Sequence, residues 1–356
     1  MLQGKNILVV GTGLIGTSIA QGLINHGLHV VLSDVDPQIL GTAITKSGAR
    51  AWDSSENIDL AIIATPPAVV ARIIKELIAS QPHAVITDVS SVKGSIFNSL
   101  HDVSDSDKSR LVGGHPMAGR EVKGPESALG DLFVDRPWVI SATEVTSQSA
   151  IDLVRELATT LGAVPIERSL VEHDRAVALV SHTPQIVSSV LAGQLRDANE
   201  SDVELAGQGI RDTTRIASSD PELWSQILSG NALEVAEQVT LIANRLHGVA
   251  DALRDGDSAF VREVLVQGNA GRDRLPGKHG GAVRISVATV MVRLDDKPGE
   301  LARLFAVAAS ANVNLEDVRI DHSLGRMTGL VELAVAKDAQ SVLVKALISA
   351  EFVVVR

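Results

Sequence analysis

The chain has 356 residues, of which 45% are hydrophobic, with a formal net charge of −11 and no cysteine. This length predicts two or three domains, and the missing cysteines exclude disulfides, thiolate nucleophiles and cysteine-based metal sites. The histidines show no ligand spacing such as HExxH, so no metal is expected. The negative charge argues against nucleic acid and anionic membranes as partners, and no apolar run reaches the ~20 residues of a membrane helix. The N-terminus opens on a strand pattern without a signal peptide, which predicts a cytoplasmic protein.

Residues 1–168 are predicted to form a doubly wound α/β domain. Short, nearly all-apolar segments alternate with helical patterns, which is typical of a parallel sheet covered on both faces. The predicted strands are 7–10, 30–33, 60–64, 85–87, 111–112 and 138–140, and the predicted helices include 17–26, 68–80 and 148–161.

Residues 169–267 lose the strand pattern and repeat apolar residues at helical intervals, as in 175–195 and 233–253. Pro184 is expected to kink or break the first of these helices. We interpret this block as a helical substrate domain that pairs with a second copy, so a homodimer is expected.

The last part of the chain is predicted to be a linker followed by a small module. Residues 268–283 are rich in glycine and charge, which is typical of a flexible linker. In residues 284–356 the predicted order is βαββαβ, that of the ferredoxin-like split unit. Its strands are expected at 284–293, 318–321, 329–335 and 352–355, and its helices at 299–311 and 339–350.

A GxGxxG sequence follows the first predicted strand and opens a helix, which is the context of a Rossmann-type nucleotide site. Its glycines make a tight turn, let a diphosphate approach and let the helix pack on the strand, while the helix N-terminus supplies free N–H groups. The predicted cofactor-binding residues of this loop are Gly11, Gly13, Leu14, Ile15 and Gly16.

Two residues at later strand ends extend the nucleotide site. Asp34 lies 18 residues beyond Gly16, where a carboxylate accepts both ribose hydroxyls of NAD and repels the 2′-phosphate of NADP. The alternative is an acidic residue in a surface turn. Thr65 follows the third strand at the sheet edge where such folds bind ligands, although an ordinary turn before Pro66 fits equally well. The predicted cofactor is NAD.

The segment GGHPMAGRE presents a candidate catalytic histidine. Gly113 and Gly114 permit unusual backbone angles and Pro116 disfavours a helix, so His115 is expected on an extended turn outside the regular elements. Imidazole titrates near neutral pH and can accept a proton beside a nicotinamide ring. The alternative is a loop histidine that hydrogen-bonds only to backbone.

Ser91 and two further histidines are candidates for the same site. Ser91 leaves a strand end, where its hydroxyl can contact both nicotinamide and imidazole, or can cap the next helix. His173 and His182 are nine residues apart and lie on opposite faces of a regular helix, which rules out a metal pair. We expect one to face the substrate cleft and the other to be structural.

The segment RDTTRIASSDPELW offers a carboxylate-binding site. If it is helical, Arg211, Asp212 and Arg215 are near neighbours, and an arginine fork suits a substrate carboxylate. The alternative is a surface Arg–Asp pair without function. Trp224 is by default a packing residue.

Six segments together resemble the prephenate/arogenate dehydrogenase family of tyrosine biosynthesis. They occur in family order over most of residues 6–230 and read GTGLIGTS, IDLAIIATPP, TDVSSVKG, GGHPMAGRE, HDRAVALVSHTPQ and RDTTRIASSDPELW. The resemblance implies an oxidative decarboxylation. A hydride leaves C4 of prephenate for NAD⁺, His115 takes or hydrogen-bonds the hydroxyl proton, and loss of CO₂ aromatises the ring.

The resemblance also implies roles for individual residues. Arg215 matches a residue that binds a substrate carboxylate, and Ser91 matches the serine beside the catalytic histidine. The residues that match positions lining or gating the pocket are Glu121, Asp212, His182 and Trp224. Arg120 and Thr183 depart from the family pattern.

The segment DDKPGEL, with NVN after the next helix, resembles an ACT domain. This implies an effector site at Gly299 and Asn312 for an aromatic amino acid, with tyrosine as the expected ligand. A dimerisation module without ligand is the alternative. For the whole chain, the alternatives are an arogenate dehydrogenase with the same mechanism and a non-catalytic sensor of NAD and an amino acid.

Overall fold

The computed structural model describes residues 1–119, 122–275, 286–322 and 328–355, with side chains at all of these except 321 and 322. The chain divides into two units, Met1–Arg245 and Leu246–Arg356. Each unit has its own sheet and is described separately below.

An eight-stranded sheet in the order β3-β2-β1-β4-β5-β6-β7-β8 organises the first unit. Its strands are β1 Asn6–Val10, β2 His29–Ser33, β3 Arg50–Ala51, β4 Leu60–Ile63, β5 Val85–Asp88, β6 Leu111–Pro116, β7 Pro137–Ser141 and β8 Val164–Glu167. All six predicted strands are present. Sequence patterns missed β3, which has two residues, and β8, which is largely exposed and contains Pro165.

The prediction of a wholly parallel sheet is wrong at one point, because β6 and β7 are antiparallel, with His115 opposite Val139. A parallel connection needs a crossover of a dozen or more residues, usually a helix. Within the described part of the β6–β7 connection, the regular structure is one short 3₁₀ turn, Pro125–Ser127. The remaining sheet pairs are parallel.

Helices cover both faces of this sheet. They are α1 Leu14–Asn25, α2 Pro37–Ser47, α3 Pro67–Ser80, α4 Gly94–Asn98, α5 Asp105–Lys108 and α6 Gln148–Thr160. Side chains alternate along β1, so that Ile7 and Val9 enter one apolar core with α1 and α6, while Leu8 enters the other with α3. The doubly wound prediction is confirmed.

The region after residue 168 is helical, as predicted. Its helices are α7 Leu170–Val177, α8 Thr183–Leu195, α9 Glu200–Val203, α10 Gln208–Thr214, α11 Pro221–Gly230 and α12 Ala232–Asp255, with a 3₁₀ turn at Arg215–Ser218. Between α7 and α8, residues Ala178–His182 form a π-helical turn, and the chain stays helical from Leu170 to Leu195. Pro184 therefore does not break the helix. Because proline lacks an N–H and crowds the preceding turn, the wider π turn just before it accommodates the ring.

Among the described residues, one helix, Leu170–Leu195, is long and apolar enough to cross a membrane by length and composition alone. A single helix of this kind is weak evidence, because a helix buried in a subunit interface has the same composition. About a third of its most apolar window is already buried within the chain.

The second unit contains a four-stranded antiparallel sheet in the order β10-β11-β9-β12. Its elements are α13 Ser258–Arg272, β9 Val287–Asp295, α14 Glu300–Ser310, β10 Leu315–His322, β11 Thr328–Ala336, α15 Gln340–Ser349 and β12 Val353–Val355. From β9 onward this is the predicted βαββαβ order. The predicted linker begins too early, because α13 extends through Arg272 and a formed helix readily propagates over a few more residues. Residues 276–283 of the predicted linker, and residues 284–285 of the predicted strand after it, lie outside the described residues.

Candidate active site

The loop between β1 and α1 has the shape of a diphosphate cradle. Gly11 has a φ of +90°, and a Cβ there would lie 2.7 Å from the Ala64 carbonyl oxygen. A Cβ on Gly16 would lie 1.9 Å from the Gly11 oxygen, so the helix can start against the strand only with glycine. Gly13 caps α1 without a side-chain hydrogen bond, and no described residue lies within 4 Å of its Cβ position. The space beside the start of α1 is therefore open at Gly13, where the first N–H groups of a helix have no partner within the helix.

Asp34 is held by this loop. Its Oδ2 accepts from the Thr12 amide at 2.6 Å and the Thr12 hydroxyl at 2.8 Å, and its Oδ1 accepts from the Asp36 amide at 3.0 Å. The carboxylate is thus fixed at the end of β2 and is not a loose surface acid. Thr65 lies next to Gly11, and its buried hydroxyl has no hydrogen-bond partner among the described residues. An open helix terminus, a fixed carboxylate and an unpartnered hydroxyl at one sheet edge fit a dinucleotide.

His115 lies within strand β6, which corrects the prediction that it sits on a turn outside the regular elements. The glycines before it serve close packing. A Cβ on Gly114 would lie 2.5 Å from the Asp88 oxygen, and one on Gly113 would lie 2.8 Å from the Lys93 side chain. Strand β6 can therefore approach β5 and the following segment closely enough to bury the imidazole.

The His115 side chain is 7% exposed, and its Nδ1 lies 2.8 Å from Nε2 of His173. Burial, followed by the charges of His173, Lys93 and His182, lowers the pKa of His115 well below its usual 6.5. The imidazole is therefore neutral at neutral pH and can act as a base.

Asp174 joins His173 to the start of helix α4. Its Oδ1 accepts from His173 Nδ1 at 2.7 Å and from the Lys93 amide at 2.9 Å, and its Oδ2 accepts from the Gly94 amide at 2.7 Å. Burial opposes ionisation of Asp174, but the hydrogen bonds from His173, Gly94 and Lys93 outweigh it and lower the pKa. No role for Asp174 was predicted from the sequence, although its position directly after His173 is a signal that could have been followed.

A buried ion pair lies beside these histidines. Lys93 Nζ donates to Asp88 Oδ1, and the two side chains are 0% and 1% exposed. Burial lowers the pKa of Lys93, and the attraction of Asp88 opposes this shift. Sequence reasoning missed this pair because a lysine on a strand-to-helix turn is usually solvated.

Ser91 is half-buried between β5 and α4. It does not cap the next helix, because Lys93 is the N-cap position of α4 and the capping carboxylate comes from Asp174. The structure thus contradicts the capping alternative for Ser91.

His182 is fully buried at the end of the π-helical turn. Its Nδ1 lies 3.2 Å from Nδ2 of Asn231, which also donates to the Asp174 carbonyl oxygen at 2.7 Å. Nδ1 therefore accepts, and the proton sits on Nε2, which is buried without a partner among the described residues. Burial lowers the pKa of His182 to about 4, with His173 acting in the same direction and Asp174 against it. The Trp224 ring stands perpendicular to the imidazole, 6.1 Å between centroids.

Both histidines of this region are therefore buried near His115, whereas only one was expected to face the site. The expectation assumed a regular helix between His173 and His182. In the structure, the last five residues up to and including His182 form the π-helical turn. A π turn has a wider hydrogen-bonding pattern than an α-helix, so it changes the angle between the His173 and His182 side chains.

The expected arginine cluster is arranged differently. Helix α10 ends at Thr214, and Arg215 begins the 3₁₀ turn, so the helical spacing assumed for residues 211–215 does not hold. Asp212 is exposed and accepts from Gln208 Nε2 at 2.7 Å. The Arg215 side chain is exposed, and Glu121 lies outside the described residues. Within the described ranges, no group of three or more His, Asp or Glu side chains has a metal-binding arrangement.

The sequence matches two models of one family: prephenate dehydrogenase, nucleotide-binding domain, at residues 19–167, and prephenate dehydrogenase, dimerization domain, at residues 170–267. Over 350 residues it is 32% identical to the probable prephenate dehydrogenase NovF of Streptomyces niveus, a match that covers 95% of this chain and 96% of that protein. The chain belongs to the prephenate dehydrogenase family. It is an NAD-dependent dehydrogenase that acts on a small molecule.

Solved structures of the prephenate dehydrogenase family share the fold. Prephenate dehydrogenase from A. aeolicus in complex with hydroxyphenyl propionate and NAD⁺ is 26% identical, with a TM-score of 0.69, over 76% of this chain and 98% of that chain. Synechocystis arogenate dehydrogenase is 27% identical, with a TM-score of 0.63, over 76% of this chain and 99% of that chain.

Proposed function

We propose that this member of the family oxidises and decarboxylates prephenate to 4-hydroxyphenylpyruvate, with His115 as the base. The observation that carries the proposal is a neutral, buried imidazole held at 2.8 Å by a second buried histidine, in a sheet whose other ligand site fits NAD. A base placed and tuned in this way suits removal of a hydroxyl proton.

The proton moves in a closed cycle. His115 takes the proton of the C4 hydroxyl as the C4–H bond breaks, and NAD⁺, when bound, supplies the acceptor for the two electrons and the hydrogen. The ring carboxylate leaves as CO₂, its bonding pair enters the ring, and the C4 oxygen takes the proton back from His115. No proton is released overall, so a base shielded from water is well suited to the reaction.

We propose that the glycine loop holds the cofactor diphosphate and that Asp34 binds the adenosine ribose. Thr65 and Ser91 are proposed to contact the nicotinamide end, because the Thr65 hydroxyl lacks a partner and Ser91 leaves a neighbouring strand at the same sheet edge. Since Asp34 repels a 2′-phosphate, NAD⁺ is expected in preference to NADP⁺.

Arg215 is proposed to bind a substrate carboxylate, since guanidinium groups match carboxylates in charge and geometry. Glu121, Asp212, His182 and Trp224 are proposed to line the pocket. His182 is suited to bind an oxygen of the substrate, because its Nε2–H is a buried neutral donor without a partner among the described residues. A substrate oxygen would satisfy it.

Arogenate is the competing substrate, because it differs from prephenate only in carrying an amino acid in place of the pyruvyl ketone. The deciding experiment is NADH formation by the purified protein, with prephenate and arogenate offered separately and each repeated with NADP⁺. Turnover of prephenate with NAD⁺ supports the proposal, and turnover of arogenate alone shifts the assignment to arogenate. No turnover of either would contradict it and favour the sensor.

We further propose the domain limits 1–168 and 169–267, and a homodimer formed through the helical region. The region carries exposed apolar side chains in α8 and α12, among them Val190 and Leu233, and its family model is described as a dimerization domain. Light scattering of the purified chain tests the dimer.

For residues 284–356 we propose an ACT-like module that binds an aromatic amino acid. A pocket of about 380 Å³ surrounds the loop between β9 and α14, and its lining includes Asp295, Lys297, Gly299, Glu300, Ile320 and Val331. Charges of both signs beside apolar side chains suit a zwitterionic amino acid. Gly299 has a φ of +93° at the start of α14, whereas Asn312 (φ 53°) follows that helix, which ends at Ser310, and is not part of the lining of the pocket. Added tyrosine should inhibit the wild type, and Gly299→Val should weaken the inhibition.

A further inference from the structure

A line of hydrogen bonds runs from the N-terminus of α4 through Asp174 and His173 to His115. Both intermediate side chains are buried away from the surface. We propose that Asp174 and His173 are positioning residues that fix His115 in the tautomer with its proton on Nδ1, so that Nε2 is free to act as the base. The proposal rests on the proposed function of His115.

The partners of Asp174 determine the direction of the hydrogen bonds that it forms. Two of its partners are the backbone amides of Lys93 and Gly94, which can only donate. An ionised carboxylate accepts from every partner, so the His173 Nδ1, 2.7 Å away, must also carry a proton. Since Asp174 lies at the N-terminus of α4, the partial positive charge of that helix end supports its ionised form.

The position of the proton on His173 in turn determines which ring nitrogen of His115 is protonated. With its proton on Nδ1, neutral His173 presents a lone pair at Nε2. His115 Nδ1 lies 2.8 Å from that atom, and the two rings meet at 66° with 5.1 Å between centroids. His115 must therefore donate from Nδ1, which leaves Nε2 without a proton. A buried carboxylate that binds one histidine thus sets the tautomer of a second one.

The charges around His115 also affect its protonation. The charged or titratable groups around His115 are His173, Lys93 with its partner Asp88, His182, and Asp174 behind His173. Burial first, and then the charges that include Lys93, lower the pKa of His115 and disfavour its protonation in the resting site. When His115 takes the substrate proton, it becomes positively charged, and its hydrogen bond through His173 connects this charge to the negative Asp174 carboxylate. Opposite charges attract more strongly inside a protein than in water, and this attraction favours proton transfer to His115.

Three variants test the assignment. Asp174→Asn replaces one carboxylate oxygen by NH₂, so an N–H must face either the Gly94 amide or both the Lys93 amide and His173 Nδ1. The ionised acceptor that requires a proton on His173 Nδ1 is thereby lost. We expect kcat to fall by roughly 10²–10⁴-fold while KM stays nearly constant.

Two variants of His173 test the second hydrogen bond. His173→Gln places an amide oxygen near the former Nε2, where it can accept from His115, whereas His173→Leu cannot accept. The glutamine variant should keep at least about ten times the kcat of the leucine variant.

The controls are a matched Asp→Asn and a matched His→Gln change elsewhere. Asp257→Asn alters the carboxylate that caps α13, and His101→Gln alters an exposed histidine. Both should leave kcat unchanged, and melting temperatures of all variants separate lost folding from lost catalysis. Equal kcat values for His173→Gln and His173→Leu, in folded proteins, would overturn the proposal.

A spectroscopic measurement tests the tautomer without turnover. In protein labelled with ¹⁵N-histidine, the His115 ring signals are identified by their loss in His115→Asn. We expect a protonated Nδ1 and a bare Nε2 in the wild type, and a mixture of both tautomers in Asp174→Asn. A proton on Nε2 in the wild type would contradict the proposal even if the enzyme turns over prephenate. Failure to turn over prephenate, with the expected tautomer present, would count against the proposed function alone.

Discussion

The amide and the hydroxyl of Thr12 both donate to one oxygen of the Asp34 carboxylate, at 2.6 and 2.8 Å. The glycine loop and the end of β2 are thereby locked together before any cofactor arrives. The second carboxylate oxygen accepts only from the Asp36 amide among the described contacts, so Asp34 retains acceptor capacity for ribose hydroxyls.

This relationship predicts the cofactor preference of an Asp34 variant. Asp34→Ser removes charge-assisted hydrogen bonds worth about 1.5–3 kcal/mol. The kcat/KM for NAD⁺ should fall by roughly ten- to a hundredfold, and the ratio of NAD⁺ to NADP⁺ activity should fall with it. Steady-state kinetics with both cofactors measure this, with Asp36→Asn as the control. An unchanged ratio would show that Asp34 does not read the ribose.

The Lys93–Asp88 pair predicts a stability effect. Lys93→Met leaves the Asp88 carboxylate buried without its partner, which costs about 3–5 kcal/mol. Lys93→Met combined with Asp88→Leu removes both charges and should lose much less. Thermal melts of the two variants and the wild type test the difference. Equal melting temperatures for the single and double variants would contradict a stabilising role of the pairing.

His182 predicts a loss of stability in acid. Its folded-state pKa of about 4 lies below the ~6.5 of an unfolded histidine. Between these values the unfolded chain binds a proton that the folded chain refuses, so stability falls as the pH falls through this window. His115, whose pKa is also lowered, acts in the same direction.

The measurement is the melting temperature from pH 7 to pH 4.5. His182→Gln should have a shallower decline with pH than the wild type. A decline of the same steepness in both would assign the acid sensitivity to other groups.

Arg215 predicts a change in substrate binding alone. Arg215→Gln should raise the KM for prephenate by at least tenfold, since a charge-assisted bond to a carboxylate is lost, and should leave the affinity for NAD⁺ unchanged. Arg211→Gln, on the same segment, is the matched control. Cofactor titration by fluorescence and substrate kinetics separate the two effects. A normal KM in Arg215→Gln would mean that another cation holds the carboxylate.

The sequence was sufficient where a motif is local. The glycine loop, the position of Asp34 directly after β2 and the βαββαβ order could be predicted. Each depends on neighbouring residues and on a fixed periodicity. The environment of His115 could not, because it is assembled from distant segments. His173 and Asp174 reach it from the helical region, and the π turn that orients His182 follows from packing around Pro184. Strand β7 was predicted, but its antiparallel direction was not, because an apolar run does not reveal strand direction.

The action of His115 as the base is the central feature of the proposed reaction. The decisive measurement is NADH formation with prephenate and NAD⁺ by the wild type and by His115→Asn, with cofactor binding measured on both. The wild type should turn over, and the variant should bind both ligands normally while kcat falls by roughly 10²–10⁴-fold. A variant that retains the wild-type kcat would contradict the account.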